Sequence, residues 1–147
     1  MKRPLPPTYF FGSILLMGIL HWLLPLKQLV VWPWRWFGVL PLSAGIAVDL
    51  IANAMFNKRG TTVKPFEKST VLVTTGLFAV TRNPFYLGMA LILLGLAVLL
   101  GSATPLVVVP IYVLAMTKAF IEPEEKMLEE AFGDQFRQYR ERVRTWL

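Results

Sequence analysis

Four carboxylates in this sequence stand where they could do chemistry. Asp49 lies inside an apolar run, Leu42 to Phe56, that otherwise carries no charge. A carboxylate there is costly and marks a functional position by default. Asn53 follows one helical turn later on the same face. The pair either lines a cavity open to the aqueous side or serves as polar glue between helices. Glu122, Glu124 and Glu125 stand where the last apolar run ends. They can receive hydrogen bonds from sugar hydroxyls or an ammonium, or simply complement the start of a helix.

Two further stretches carry polar edges. Thr70-Val71-Leu72-Val73-Thr74-Thr75-Gly76 is β-branched and extended in character, as is Gly60-Thr61-Thr62-Val63-Lys64-Pro65. Extended backbone exposes N–H and C=O groups that need partners. A bound small molecule would supply them, and so would packing beneath the tail. Next comes Arg82-Asn83-Pro84-Phe85-Tyr86-Leu87-Gly88. Pro84 suits the first position of a helix and Asn83 its cap. Tyr86 sits one turn in, with an aromatic face and a hydroxyl. The absence of cysteine excludes a thiol nucleophile, and the single histidine, His21, argues against a zinc site. His21 reads as an interfacial residue rather than a catalyst.

These residues need elements to position them, and the elements are membrane helices. Hydrophobic types make up 55% of the 147 residues and charged types only 16%, against about 45–50% and about 25% in soluble domains. Apolar spans are expected at residues 9–26, 36–56, 85–100 and 105–121, in one membrane domain covering 1–147. Each approaches the ~20 residues that cross hydrocarbon. The first run lacks a small-residue cleavage site and is expected to be retained. Gly101-Ser102 makes the third and fourth spans a hairpin. Lysine and arginine concentrate at the N-terminus, in the 57–84 loop and in the tail, which places all three in the cytoplasm. Trp22, Trp32, Trp34 and Trp36 gather at the opposite face, as an interfacial belt does. Residues 123–146 repeat apolar positions at helical spacing and form an amphipathic helix, with Gly133-Asp134 as a candidate break. The net charge of +6 is explained by anionic headgroups and topology, not by nucleic acid. The expected fold is thus all-α and integral to the membrane, with about four spans, a cofactor-binding loop and a cytoplasmic helix.

The run from Leu72 to Gly88 resembles the signature of the isoprenylcysteine carboxyl methyltransferase family and its phospholipid methyltransferase relatives. So does Glu124-Glu125-Lys126-Met127-Leu128, followed by Phe132-Gly133, Phe136, Tyr139 and Val143. The resemblance covers about residues 60–146, with a membrane hairpin between its two blocks. It implies a membrane-embedded methyltransferase that uses S-adenosylmethionine and needs no metal. By motif, Thr70, Val71, Leu72 and Val73 would give backbone contacts to the cofactor, and Phe78 would wall its pocket. Asn83, Pro84, Phe85 and Tyr86 would form the next stretch. Glu124 would be the acidic contact, with Glu125 beside it. Partners are then the bilayer and a lipophilic small molecule.

Two departures bear on the acceptor. Asn83 stands where the family often has histidine. Phe120 stands where the isoprenylcysteine enzymes carry a substrate-binding arginine, so a carboxylate substrate loses its partner. Asp49, Asn53 and Phe120 are the candidate substrate residues. Two other readings remain open from sequence. One is an NADPH-dependent membrane reductase resembling sterol reductases, with Lys64, Lys68 and Arg82 available for a 2′-phosphate. The other is a non-catalytic membrane protein that keeps a degenerate pocket.

Overall fold

Prolines and glycines set the helix boundaries. The computed structural model describes residues 5–58 and 71–147. The first helix, α1 (Pro6–Leu23), begins on a proline, whose missing N–H costs nothing at a helix start. It ends at Leu23 because Leu24 precedes Pro25, and a residue before proline is pushed out of the helical region. A 3₁₀ turn, Trp34–Gly38, leads directly into α2 (Val39–Lys58). α3 (Pro84–Leu100) again opens on proline, and it closes on Gly101 in the left-handed region (φ 79°). α4 (Ala103–Met116) follows almost at once.

The exit of α4 departs from simple expectation. Pro123 should kink the chain there, because it cannot donate to a carbonyl four residues back. The helix instead widens to a π turn over Thr117–Ile121, in which the Glu122 N–H reaches the Thr117 carbonyl. The chain then continues as α5 (Glu122–Phe132). Gly133, at φ 52°, interrupts the tail, and α6 (Asp134–Arg142) completes it. The tail is therefore two helices. No strand forms among the described residues; residues 71–75 run without regular structure.

Two helical segments are long and apolar enough to cross a membrane, Trp34–Lys58 and Ala103–Phe132; Pro84–Leu100 is a shorter apolar helix. α3 is central, packing against α2, α4 and α1. The core joins Met17 of α1, Leu93 of α3, Tyr112 and Met116 of α4, and Phe120 and Ile121 of the π turn. Outward positions are apolar too, with Leu15, Ile19, Leu50, Ile111 and Leu114 exposed. That suits a surface solvated by lipid tails.

The 3₁₀ turn and α2 together meet α3 backbone to backbone. A Cβ at Gly38 would come within 2.5 Å of the Gly95 carbonyl oxygen, and one at Gly45 within 2.5 Å of that of Gly88. Only glycine permits this approach. At the far end from the candidate site, the segment after α1 locks onto the α3–α4 turn. Leu29 and Val30 donate to the Gly101 carbonyl at 2.9 and 3.0 Å, and Ala103 donates to Lys27. His21 Nδ1 lies 2.7 Å from Ser102 Oγ. Arg35 reaches the Val30 carbonyl at 3.0 Å and also contacts the Gln28 amide oxygen.

Candidate functional site

Arg82 organises the region just before α3. It follows a 3₁₀ turn, Gly76–Ala79, entered by Gly76 at φ 66°. Its guanidinium pairs with Glu125 of α5 at 2.8 Å, and both side chains are largely buried. The remaining donors reach the Arg140 and Val143 carbonyls and, at 2.6 Å, the Thr145 hydroxyl. The Arg82 backbone N–H donates to Arg144. A fork of fixed donors can hold a carboxylate and several carbonyls at once, which an ammonium could not. Arg82 therefore ties the start of α3 to α5 and to the last residues of the chain. Committed in this way, it is not offered to a 2′-phosphate; Lys64 and Lys68 lie outside the described residues.

Neighbouring residues strengthen the same knot. Thr81 Oγ1 and Asn83 Nδ2 both donate to the Thr145 carbonyl, at 3.2 and 3.1 Å. The Asn83 side chain thus makes no capping bond, contrary to its sequence preference. Its backbone N–H is satisfied by Thr81 Oγ1 instead. Trp146 Nε1 donates to Thr117 Oγ1 at the π turn. The Tyr139 hydroxyl donates to the Phe78 carbonyl at 2.6 Å, and burial pushes its phenol up to about 12.

Beside the knot lies a carboxylate held by a phenol. The Tyr86 hydroxyl donates to Glu124 Oε1 at 2.9 Å. Tyr86 is one turn into α3; Glu124 is brought to it by the helix that continues through the π turn. A carboxylate has about four lone-pair sites, so one such bond leaves Glu124 able to accept others. The same end of the bundle carries a cluster of aromatic rings. Phe56 packs against Phe78 at 5.3 Å and against Phe85 at 5.6 Å between ring centres.

The structure thus brings Phe78, Asn83, Pro84, Phe85, Tyr86, Glu124 and Glu125 to one end of the bundle. Val73 is buried, Leu72 packs against Phe136, Tyr139 and Val143, and Val71 is exposed. Thr70 lies outside the described residues. Phe120 is buried, edge-on to Tyr9 at 5.3 Å and 6.3 Å from the Tyr86 ring. Asp49 and Asn53 separate: Asn53 is exposed, whereas Asp49 presses against Gly88 of α3. Sequence reasoning missed Arg82 as a structural hub, and with it Thr145 and Phe56. No local signal marked it: Arg82 stands two residues before Pro84, and a cation there reads the same in sequence whether it meets water or a buried glutamate.

The profile of the family Phospholipid methyltransferase matches residues 33–135. A Schizosaccharomyces pombe protein-S-isoprenylcysteine O-methyltransferase is 34% identical over 76 residues, 52% of this chain and 32% of that one. An uncharacterized Haemophilus influenzae protein is 40% identical over 62 residues, 42% of this chain and 98% of that one. The solved structure of the eukaryotic intramembrane Ras methyltransferase, an isoprenylcysteine carboxyl methyltransferase, superposes with a TM-score of 0.65 at 25% identity, over 96% of this chain and 51% of that one. The chain spans about a third of the S. pombe enzyme and half of the solved one. The profile crosses the α2–α3 seam, the Arg82 knot and the Tyr86–Glu124 pair alike, and by that match the chain belongs to the phospholipid methyltransferase family.

Proposed function

We propose that this chain is a multi-pass membrane methyltransferase that takes S-adenosylmethionine as donor and methylates a lipophilic acceptor dissolved in the bilayer. Four spans, at 9–26, 36–56, 85–100 and 105–121, carry it as a single domain. The lysine and arginine distribution puts the N-terminus, the loop and the tail in the cytoplasm.

The observation that carries this reading is the Tyr86–Glu124 hydrogen bond, at the same end of the bundle as the Phe56–Phe78–Phe85 rings. The donor set fits the group. Glu124 keeps acceptor capacity for hydroxyls or an ammonium. The ring faces attract a cation. Residues 71–75 run without regular structure and can present backbone polar edges to a ligand. When bound, the donor supplies a methyl group on a cationic sulfur, ready for displacement. The protein's part is to hold that centre in line with the acceptor and to keep water away. Tyr86 orients Glu124. Arg82 and Glu125 fix α3 against α5, so the two sides of the site keep their spacing. Val73 and Phe78 wall it. Phe120 stands one turn before Glu124 with no charge to offer, so the acceptor headgroup is not a carboxylate held by a guanidinium there.

Isothermal titration of S-adenosylhomocysteine into detergent-solubilised protein, with helicity verified, tests the donor. Micromolar-range binding is expected, on the order of −8 kcal/mol. Glu124→Gln and Tyr86→Ala should each weaken it. No binding by folded protein sinks the donor assignment; unchanged affinity in both variants removes these residues from the site.

A further inference from the structure

We infer that Trp146 is a positioning residue of the donor site: its indole N–H holds the Thr117 hydroxyl, and through it the π turn that carries Glu124 to Tyr86. This rests on the methyltransferase reading above and deepens it, assigning what keeps the acidic contact in place.

π turns are rare, occur singly inside α-helices and gather at functional sites. Pro123 removes one N–H from the α register, but that loss alone does not choose between a kink and a widened turn. Thr117 is the first residue of the turn, and its carbonyl accepts the Glu122 N–H. Its hydroxyl donates back to the Val113 carbonyl at 2.7 Å, beside the bond that Thr117's own backbone N–H makes to the same oxygen. A hydroxyl bonded to a carbonyl four residues earlier bends a helix. With its one proton committed there, Oγ1 is left with lone pairs only. They accept from Trp146 Nε1 at 3.2 Å.

Trp146 is itself held from the α3 side. The Thr145 carbonyl receives Thr81 Oγ1 and Asn83 Nδ2 at 3.2 and 3.1 Å, and the Arg144 carbonyl receives the Arg82 N–H at 3.0 Å. The body of the indole packs against the core that contains Met116, Phe120 and Ile121. The ring is thus anchored to the entrance of α3 and bonded to the first residue of the π turn.

The contacts close a circuit. Tyr86 joins Asn83 along the chain, Asn83 holds Thr145, and Trp146 holds Thr117. Thr117 joins Glu124 along the helix, and Glu124 returns to Tyr86 at 2.9 Å. Glu124 follows Thr117 by seven residues, about two turns. A change of register at Thr117 therefore reaches it whole, as a rotation of about 100° per residue. An apolar ring at position 146 would fill the same space and leave the hydroxyl unheld.

Titration of S-adenosylhomocysteine into detergent-solubilised protein, paired with ligand-free NMR of protein labelled with carbon-13 at the tyrosine Cζ, tests this. The chain has four tyrosines, so the Tyr86 signal is assigned by its loss in Tyr86→Phe. Glu124→Leu gives its position without the carboxylate. Trp146→Phe keeps an aromatic ring without the N–H, and Thr117→Val keeps the shape without the hydroxyl. Each should weaken S-adenosylhomocysteine about fivefold, the scale of one hydrogen bond, and move the Tyr86 signal toward its Glu124→Leu position. The double variant should lose no more than either single one, because both remove the same bond. Thr117→Ser, which keeps the hydroxyl and drops the methyl, should recover most of what Thr117→Val loses. A packing role gives the reverse order, with valine tolerated and serine not, and that result overturns the inference. So does an unmoved Tyr86 signal in Thr117→Val, which decides alone should Trp146→Phe not fold. A wild-type protein that binds no S-adenosylhomocysteine, while its Tyr86 signal responds as described, would leave the positioning role standing and remove the donor.

Discussion

Arg82 shows how much one side chain can hold. Its partners lie on α5, on α6 and in the residues beyond, up to 63 positions away in sequence. Arg82→Ala would strand Glu125 in a largely buried position and release several carbonyls, at a loss on the order of 3 kcal/mol. Chemical denaturation in detergent should show it, and residues 143–147 should become open to carboxypeptidase. Arg82→Lys should recover only part, since an ammonium cannot fork. Tyr139 makes a prediction in pH. Burial raises its phenol from 10.0 to about 12. The folded state therefore keeps the proton that the unfolded chain loses first. Its contribution is complete below pH 10 and fades as pH rises from 10 toward 12. Tyr139→Phe should flatten stability over that window, and a pH series of thermal melts would reveal no such change if the bond to Phe78 were unimportant. Glu124, Tyr86 and Phe78 could be nominated from sequence because the motif marks them. The role of Arg82 could not, because nothing near it in sequence points to Thr145; its charge looks the same whether it faces water or a buried glutamate.

Helix ends were legible where covalent chemistry decides them. Pro84 opens α3 and Gly101 closes it, as their backbones require. The π turn was not legible. Pro123 announces trouble four residues back, but whether the helix kinks or widens depends on what packs around Phe120 and Ile121. In Pro123→Ala an ordinary α register becomes available through this stretch. Removing the extra residue of the turn would rotate Glu124 by about 100° from Tyr86. S-adenosylhomocysteine affinity should then fall by at least tenfold in titration, while circular dichroism keeps its helix content. The α2–α3 seam gives a second test. Gly88→Ala drives a methyl into Asp49 and should cost about 1–3 kcal/mol in a detergent melt. Adding Asp49→Ala should return part of it, since the two share one space. Glycines at 38, 45, 88 and 95 are visible in the sequence, but their pairing is a property of two helices and does not show in either alone.

At the scale of the molecule, the two ends of the bundle are built differently. One end is a backbone lock, where residues 27–30 meet Gly101 and Ala103. The other is a side-chain knot around Arg82 and Tyr86 with the candidate site beside it. Composition and charge placement were enough to foresee an all-helical membrane fold, because hydrocarbon restricts what a chain can do. The meeting of loop and tail needed the three-dimensional fold, since 2 sets of residues more than 40 positions apart must find each other. Fluorescent reporters fused separately to each end should both be lit from the cytoplasm if the proposed topology holds; one reporter facing the other compartment would contradict it.

The glycine contacts between α2 and α3 also bear on traffic. At Gly38–Gly95 and again at Gly45–Gly88 main chain meets main chain, with the Leu99, Leu42, Ile92 and Asp49 side chains packed alongside. A gate needs something that can yield, and the main chain that closes the seam at both levels cannot. A lipid diffusing in the plane of the bilayer cannot slip through there, so it must round the outer face of α2 or arrive from another side of α3.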